Sequence, residues 1–87
     1  MIEAGRFQPA SIAVSAGDTV EWTNKDLFPH TVTAATTGPK QKPRFDSGAI
    51  QPGATWRLTT TASGDFAYVC SFHVGMRANL TVRGPGR

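Results

Sequence analysis

A single cysteine, Cys70, leaves this 87-residue chain without an internal disulfide to staple it. Charge is also scarce. Nine basic and six acidic side chains make up 17% of the residues and a net charge of +3. No run of Lys and Arg interleaved with aromatic residues forms a stripe for nucleic acid. The densest basic stretch, Lys40, Lys42 and Arg44, sits in a proline-containing loop and reads as solvated surface. No 18-residue apolar run is present to cross a membrane as a helix, and Glu3 and Arg6 interrupt any secretory hydrophobic segment after Met1. Long runs of Ala, Leu, Glu and Lys are missing, which argues against helices. The length excludes two domains, an eight-fold barrel and a doubly wound dinucleotide fold.

What the chain does have is Thr, Gly, Pro and Val, with period-2 alternation between turn signals. Ile12 and Val14 share a face in a first strand over Phe7 to Val14, and Val20 and Trp22 do so in the next. His30, Val32 and Ala34 alternate with Thr31 and Thr33. Trp56 and Leu58 point inward together, as do Phe66, Tyr68 and Cys70, and then Leu80 and Val82 in a last strand from Asn79. Phe45 to Ser47 reads as one more short strand, and residues 71 to 77 as a compact loop. The expectation is an all-β, small Greek-key β-sandwich of seven to eight short strands. It forms one domain over residues 1–87, with 84–87 a loose C-terminal tail.

The chemistry is concentrated. The chain owns two His, one Cys and, apart from Met1, one Met. Cys70, His73 and Met76 fall within seven residues, and His30 lies on an inward-facing strand position. Each taken singly reads as ordinary core; together they read as a metal site. One thiolate and two imidazoles make a trigonal set, and a thioether at longer distance supplies a weak axial donor, a combination that suits copper in both oxidation states. Zinc is the nearest competitor, since Cys-His₂ also binds it, but Met is a poor fourth ligand for zinc. Asp26, Asp46 and Asp65 offer no evident general base for a catalytic zinc.

Two stretches carry a resemblance. Tyr68-Val69-Cys70-Ser71-Phe72-His73-Val74-Gly75-Met76 is similar to the Tyr-x-Cys-x-x-His-x-x-Met motif of the cupredoxins, the small type 1 blue copper proteins. Gly17 to Asn24 followed by Phe28-Pro29-His30-Thr31-Val32 resembles the strand and loop that deliver their first histidine. Phe45-Asp46-Ser47-Gly48 and Gly64 to Tyr68 also fall in family order, so the likeness covers roughly residues 7–83. The amicyanin and plastocyanin group matches best, amicyanin more closely through its short ligand loop.

The resemblance implies His30, Cys70 and His73 as equatorial ligands, the histidines through Nδ1, and Met76 as the axial one. Thr31, Ser71 and Phe72 would stand directly behind them. It also implies an enclosed His30 and a surface His73 within an apolar, partner-facing patch of Phe28, Pro29, Phe72 and Val74. Two positions depart from the family. Thr31 replaces an Asn whose side chain ties the two ligand segments together. Phe72 replaces a Pro between Cys and His, so its N–H is available, and could point at the Cys70 sulfur.

The function expected is a soluble electron carrier with one copper per chain. It would be a monomer, not an enzyme, and would work between redox protein donors and acceptors in transient complexes. Copper carriage or buffering is an alternative, as is a cupredoxin domain of a larger redox protein. The resemblance also implies a periplasmic or otherwise extracytoplasmic location, with the signal peptide not among these residues.

Overall fold

The computed structural model describes residues 1–35 and 43–84, and of Val74 the backbone. Lys40 and Lys42, the tail beyond Gly84 and the Val74 side chain lie outside the described residues. Among those described there are eight strands and no helix, so none is long and apolar enough to cross a membrane. The strands are β1 (Ile2–Glu3), β2 (Arg6–Phe7), β3 (Ser11–Ser15), β4 (Thr19–Thr23), β5 (Thr33–Ala34), β6 (Thr55–Thr59), β7 (Gly64–Cys70) and β8 (His73–Arg83).

One sheet has the order β3-β8-β7-β5, a second pairs β4 with β6, and β1-β2 is a separate hairpin. From β3 to β7 the chain changes sheet at every step, which is how an all-β sandwich closes one core from short strands. β3 runs parallel to β8, with Ile12 opposite Leu80 and Val14 opposite Val82. Sequence alternation becomes burial: in β4, Val20 and Trp22 are buried while Thr19 and Glu21 are exposed. The core is aromatic at its centre. Tyr68 receives Phe7 edge-on at 4.8 Å and Trp22 edge-on at 5.5 Å, and the Trp22 indole N–H donates to the Tyr68 hydroxyl at 3.4 Å. Edge-to-face contact packs the large rings closely, and the buried indole N–H has an acceptor.

Four expectations change. The strand over Phe7 to Val14 is divided, because Phe7 closes the N-terminal hairpin and β3 begins only at Ser11. Thr31 and Thr33 do not face outward; residues 30 to 34 are all buried, since partners for both hydroxyls wait on the covered side. Phe45 to Ser47 contributes a single bridge, Thr33 to Asp46, in place of a strand. Residues 71 to 77 are not a loop. A bulge between Val69 and Cys70 and a turn at Ser71-Phe72 return the chain so that His73 pairs with Cys70, and β8 then continues to Arg83. Gly75 adopts φ +92°, which a residue with a side chain rarely takes, within that strand.

Candidate metal centre

Asn24 builds the loop that delivers His30. Its side chain is fully buried and makes three hydrogen bonds: Nδ2 donates to the Phe28 and Ile50 carbonyls, both at 2.8 Å, and Oδ1 accepts from the Asp26 N–H at 2.9 Å. His30 then exchanges backbone hydrogen bonds with Ile50 at 2.7 and 3.2 Å. Cys70 and His73 arrive from the paired ends of β7 and β8. His30 Nδ1 lies 3.6 Å from Cys70 Sγ, and His73 Nδ1 lies 3.8 Å from the same sulfur. One donor atom from each of the three residues falls within 4.8 Å of the others.

These spacings fit a metal. Bonds of about 2.0 Å to nitrogen and about 2.3 Å to sulfur, at a trigonal angle of about 120°, place N and S about 3.7 Å apart. Soft thiolate with two imidazoles is a copper-favouring donor set. Met76, three residues beyond His73, is buried in the same cluster of apolar side chains as Cys70. His30, Cys70 and His73, expected together from sequence, are thus brought together by the Asn24 loop, the bulge and the Ser71-Phe72 turn.

Around the cluster the polar groups are accounted for; among the described residues no buried side-chain N or O lacks a partner. Cys70 Sγ accepts the Thr31 N–H at 3.3 Å. No hydrogen bond joins the Phe72 N–H to the sulfur among the described residues, so the donor considered for that position is not used. Thr31 Oγ1 accepts the Ser71 N–H at 2.7 Å and ties the two ligand segments across 40 residues of chain. Thr33 Oγ1 extends the tie: it lies 3.2 Å from Ser71 Oγ, and its one proton serves Thr31 Oγ1 or Asp46 Oδ1, each 3.0 Å away.

The sequence reading missed Asp26. Its Oδ2 lies 2.7 Å from His30 Nε2. With Nδ1 turned to the cluster, Nε2 carries the proton and donates it to the carboxylate. The Gly5 N–H, the His30 ring and the Ala4 N–H hold this carboxyl below its ordinary value, against the opposing effect of burial. A signal was present, because Asn-x-Asp forms an Asx turn that aims its third residue.

The two histidines are unequally exposed. His30 is 1% accessible and His73 is at the surface. Of the apolar residues expected to face a partner, Phe28 is 66% and Phe72 54% exposed, and Pro29 is half-buried. Leu27, unremarked in the sequence, is 87% exposed beside Phe28. A cavity of about 100 Å³ lined by Phe45, Leu58, Phe66, Leu80 and Val82, among others, shares no residue with the cluster.

Comparisons with known proteins agree with this geometry. Residues 2–83 match the copper-binding proteins of the plastocyanin/azurin family. The chain is 27% identical over 77 residues to amicyanin-alpha of Methylorubrum extorquens, covering 88% of this chain and 64% of that protein. It is 31% identical over 74 residues to chloroplastic plastocyanin of Tetradesmus obliquus, covering 79% of this chain and 51% of that one. It therefore spans between half and two thirds of the length of these two relatives. Among solved structures, a reduced amicyanin carrying a proline-to-phenylalanine substitution superposes with a TM-score of 0.82 at 27% identity, over 94% of this chain and 77% of that one. A thiolate and two imidazoles at trigonal spacing, in a sandwich matched over nearly its whole length, place the chain in the plastocyanin/azurin family of cupredoxins, with one type 1 copper as its cofactor.

Proposed function

We propose that the chain is a mobile electron carrier in which His30, Cys70 and His73 hold the copper equatorially and Met76 holds it axially. Copper in such a set changes charge by one electron with little rearrangement of its ligands. The observation that carries the reading is the asymmetry of the donor triangle. His30 is sealed and bolted by Asn24 and Asp26, whereas His73 stands at the surface, and Leu27, Phe28 and Phe72 are exposed apolar side chains on the two segments that carry these histidines. A rigid inner half keeps reorganisation small, and an exposed ligand edge shortens the path to a partner. Val74 completes the proposed patch on the sequence reading.

A few exposed apolar side chains suit a small, weak and fast-dissociating contact with a redox protein, with the +3 net charge left for steering. Acid–base catalysis finds no support beside the cluster. Asp26, the acid on its histidine, is already committed to His30, Ala4 and Gly5. In this reading the chain works as a monomer, outside the reducing cytosol. The test is titration of metal-free protein with Cu(II). An intense blue band saturating at one copper per chain supports the reading; tight zinc binding with no such band refutes it.

A further inference from the structure

The N-terminal hairpin was not foreseen, and it reaches the metal cluster through one carboxylate. β1 and β2 are joined by the two-residue turn Ala4-Gly5, with φ of +55° and +68°. Ala4 is the one non-glycine among the described residues at positive φ. That turn type requires positive φ at both positions, and an L-residue adopts it at a cost. Its consequence is that two successive N–H groups converge on one point, as in an anion-binding nest. Asp26 occupies that point: the Ala4 N–H donates to Oδ1 at 2.6 Å and the Gly5 N–H to Oδ2 at 2.9 Å. Oδ2 also receives His30 Nε2 at 2.7 Å.

The hairpin itself is fixed. Ile2 and Phe7 are buried, the Lys25 N–H donates to the Ile2 carbonyl at 2.7 Å, and Met1 and Gln8 exchange two further bonds. A continuous series therefore runs from hairpin to Asp26 to His30 to the thiolate side of the cluster.

We propose that the Ala4-Gly5 turn is a positioning element of the copper site, acting through Asp26 to fix the tautomer, orientation and electron density of the His30 ring. This rests on the assignment of His30 as a ligand. A carboxylate accepting from Nε2–H makes the imidazole a better donor and favours the oxidised metal; an intact clasp then holds the reduction potential down.

The experiment compares wild type, Asp26→Asn, Ala4→Pro and the double variant, each titrated with copper and measured for reduction potential. ¹⁵N shifts of the His30 ring are recorded without metal. Asp26→Asn is expected to weaken Cu(II) binding about 10–100-fold and to raise the potential. Ala4→Pro removes one N–H and forbids the turn's positive φ, and should shift both quantities the same way. In the Asp26→Asn background it should add nothing further, because both act through one carboxylate. Metal-free wild type should show His30 as the Nε2–H tautomer, with the tautomers mixed in the variants. Phe7→Leu, in the same hairpin but outside the clasp, should lower the melting temperature and leave the potential unmoved.

An unchanged potential and tautomer in Ala4→Pro would overturn the proposal, as would effects that simply add in the double variant. If Asp26→Asn does not fold, Ala4→Pro against Phe7→Leu decides alone. Wild type with no blue band would instead remove the ligand assignment, and the proposal with it.

Discussion

Replacing Asn24 should disable the protein although the residue lies outside the metal cluster. Asn24→Ala removes three hydrogen bonds, one of them wholly buried and two partly so. The Ile50 carbonyl keeps the His30 N–H at 3.2 Å, but the Phe28 carbonyl and the Asp26 N–H lose the partner that held them. Two orphaned groups at ~1–2 kcal/mol each, with about 1 kcal/mol for the third bond, give a cost of ~3–5 kcal/mol. A domain of this size has about 4–13 kcal/mol in all, at 0.05–0.15 per residue. Equilibrium denaturation of the metal-free variant should therefore show it near the edge of folding, with a melting temperature lower by at least ~12 °C. If only the loop opens, the same energy appears as copper binding weakened at least ~100-fold, since each 1.4 kcal/mol is tenfold. Asn24→Asp is the sharper probe. It keeps the acceptor for the Asp26 N–H but turns an oxygen toward two carbonyls, and should cost no less at neutral pH. A loss below about 1 kcal/mol with unaltered copper affinity would show that something other than this amide holds His30 in place.

Four further outcomes are expected. Thr31→Val keeps the volume but removes the acceptor of the Ser71 N–H; it should cost about 1–2 kcal/mol and accelerate hydrogen exchange at the Ser71 amide, and unchanged Ser71 protection would contradict the tie. Copper should raise the melting temperature clearly, because the ligands are dispersed in the unfolded chain, and Cys70→Ala should lose both that increment and the blue band. Met76→Gln should keep copper and lower the potential, read by voltammetry. Burial raises the Tyr68 phenol above its ordinary value of 10.0, outweighing the opposing bond from Trp22. The folded state thus favours the neutral phenol, so this contribution is whole below pH ~10 and fades as pH rises through the folded value. Metal-free Tyr68→Phe should lose stability less steeply than wild type above pH ~10, and equal slopes would count against it.

The sequence disclosed the metal cluster because its residues are rare. Two His, one Cys and one internal Met leave few combinations, and strands such as β4 and β7 alternate cleanly enough to set which side chains point in. It did not disclose Ile2–Phe7, whose strands are two residues each and too short to show any period. Alternation also says which face a side chain takes but not whether that face is covered. Alternation sets Thr31 and Thr33 on the face opposite His30, Val32 and Ala34, and it does not show that the Ser71 amide and Asp46 cover that face. Asp26 failed for the same reason. A lone acid in a polar loop reads as solvated until a turn aims it, and the aim comes from Asn24 and from a hairpin at the far end of the segment.

Thr31 shows how a short side chain can join two segments 40 residues apart in sequence. A hydroxyl has a short reach, and the register supplies the closeness: β5 pairs with β7 two residues further along, Thr33 opposite Val69, and so brings residue 31 alongside the end of β7. The Thr31 N–H then meets the Cys70 sulfur and its hydroxyl meets the next amide, Ser71. Thr33 supplies a second hydroxyl against the Ser71 side chain and passes the load to Asp46. Two threonines on alternate positions of one segment thus brace both sides of the Cys70 turn. The bracing depends on the β5–β7 register, since a slip of one residue would turn both hydroxyls to the opposite face.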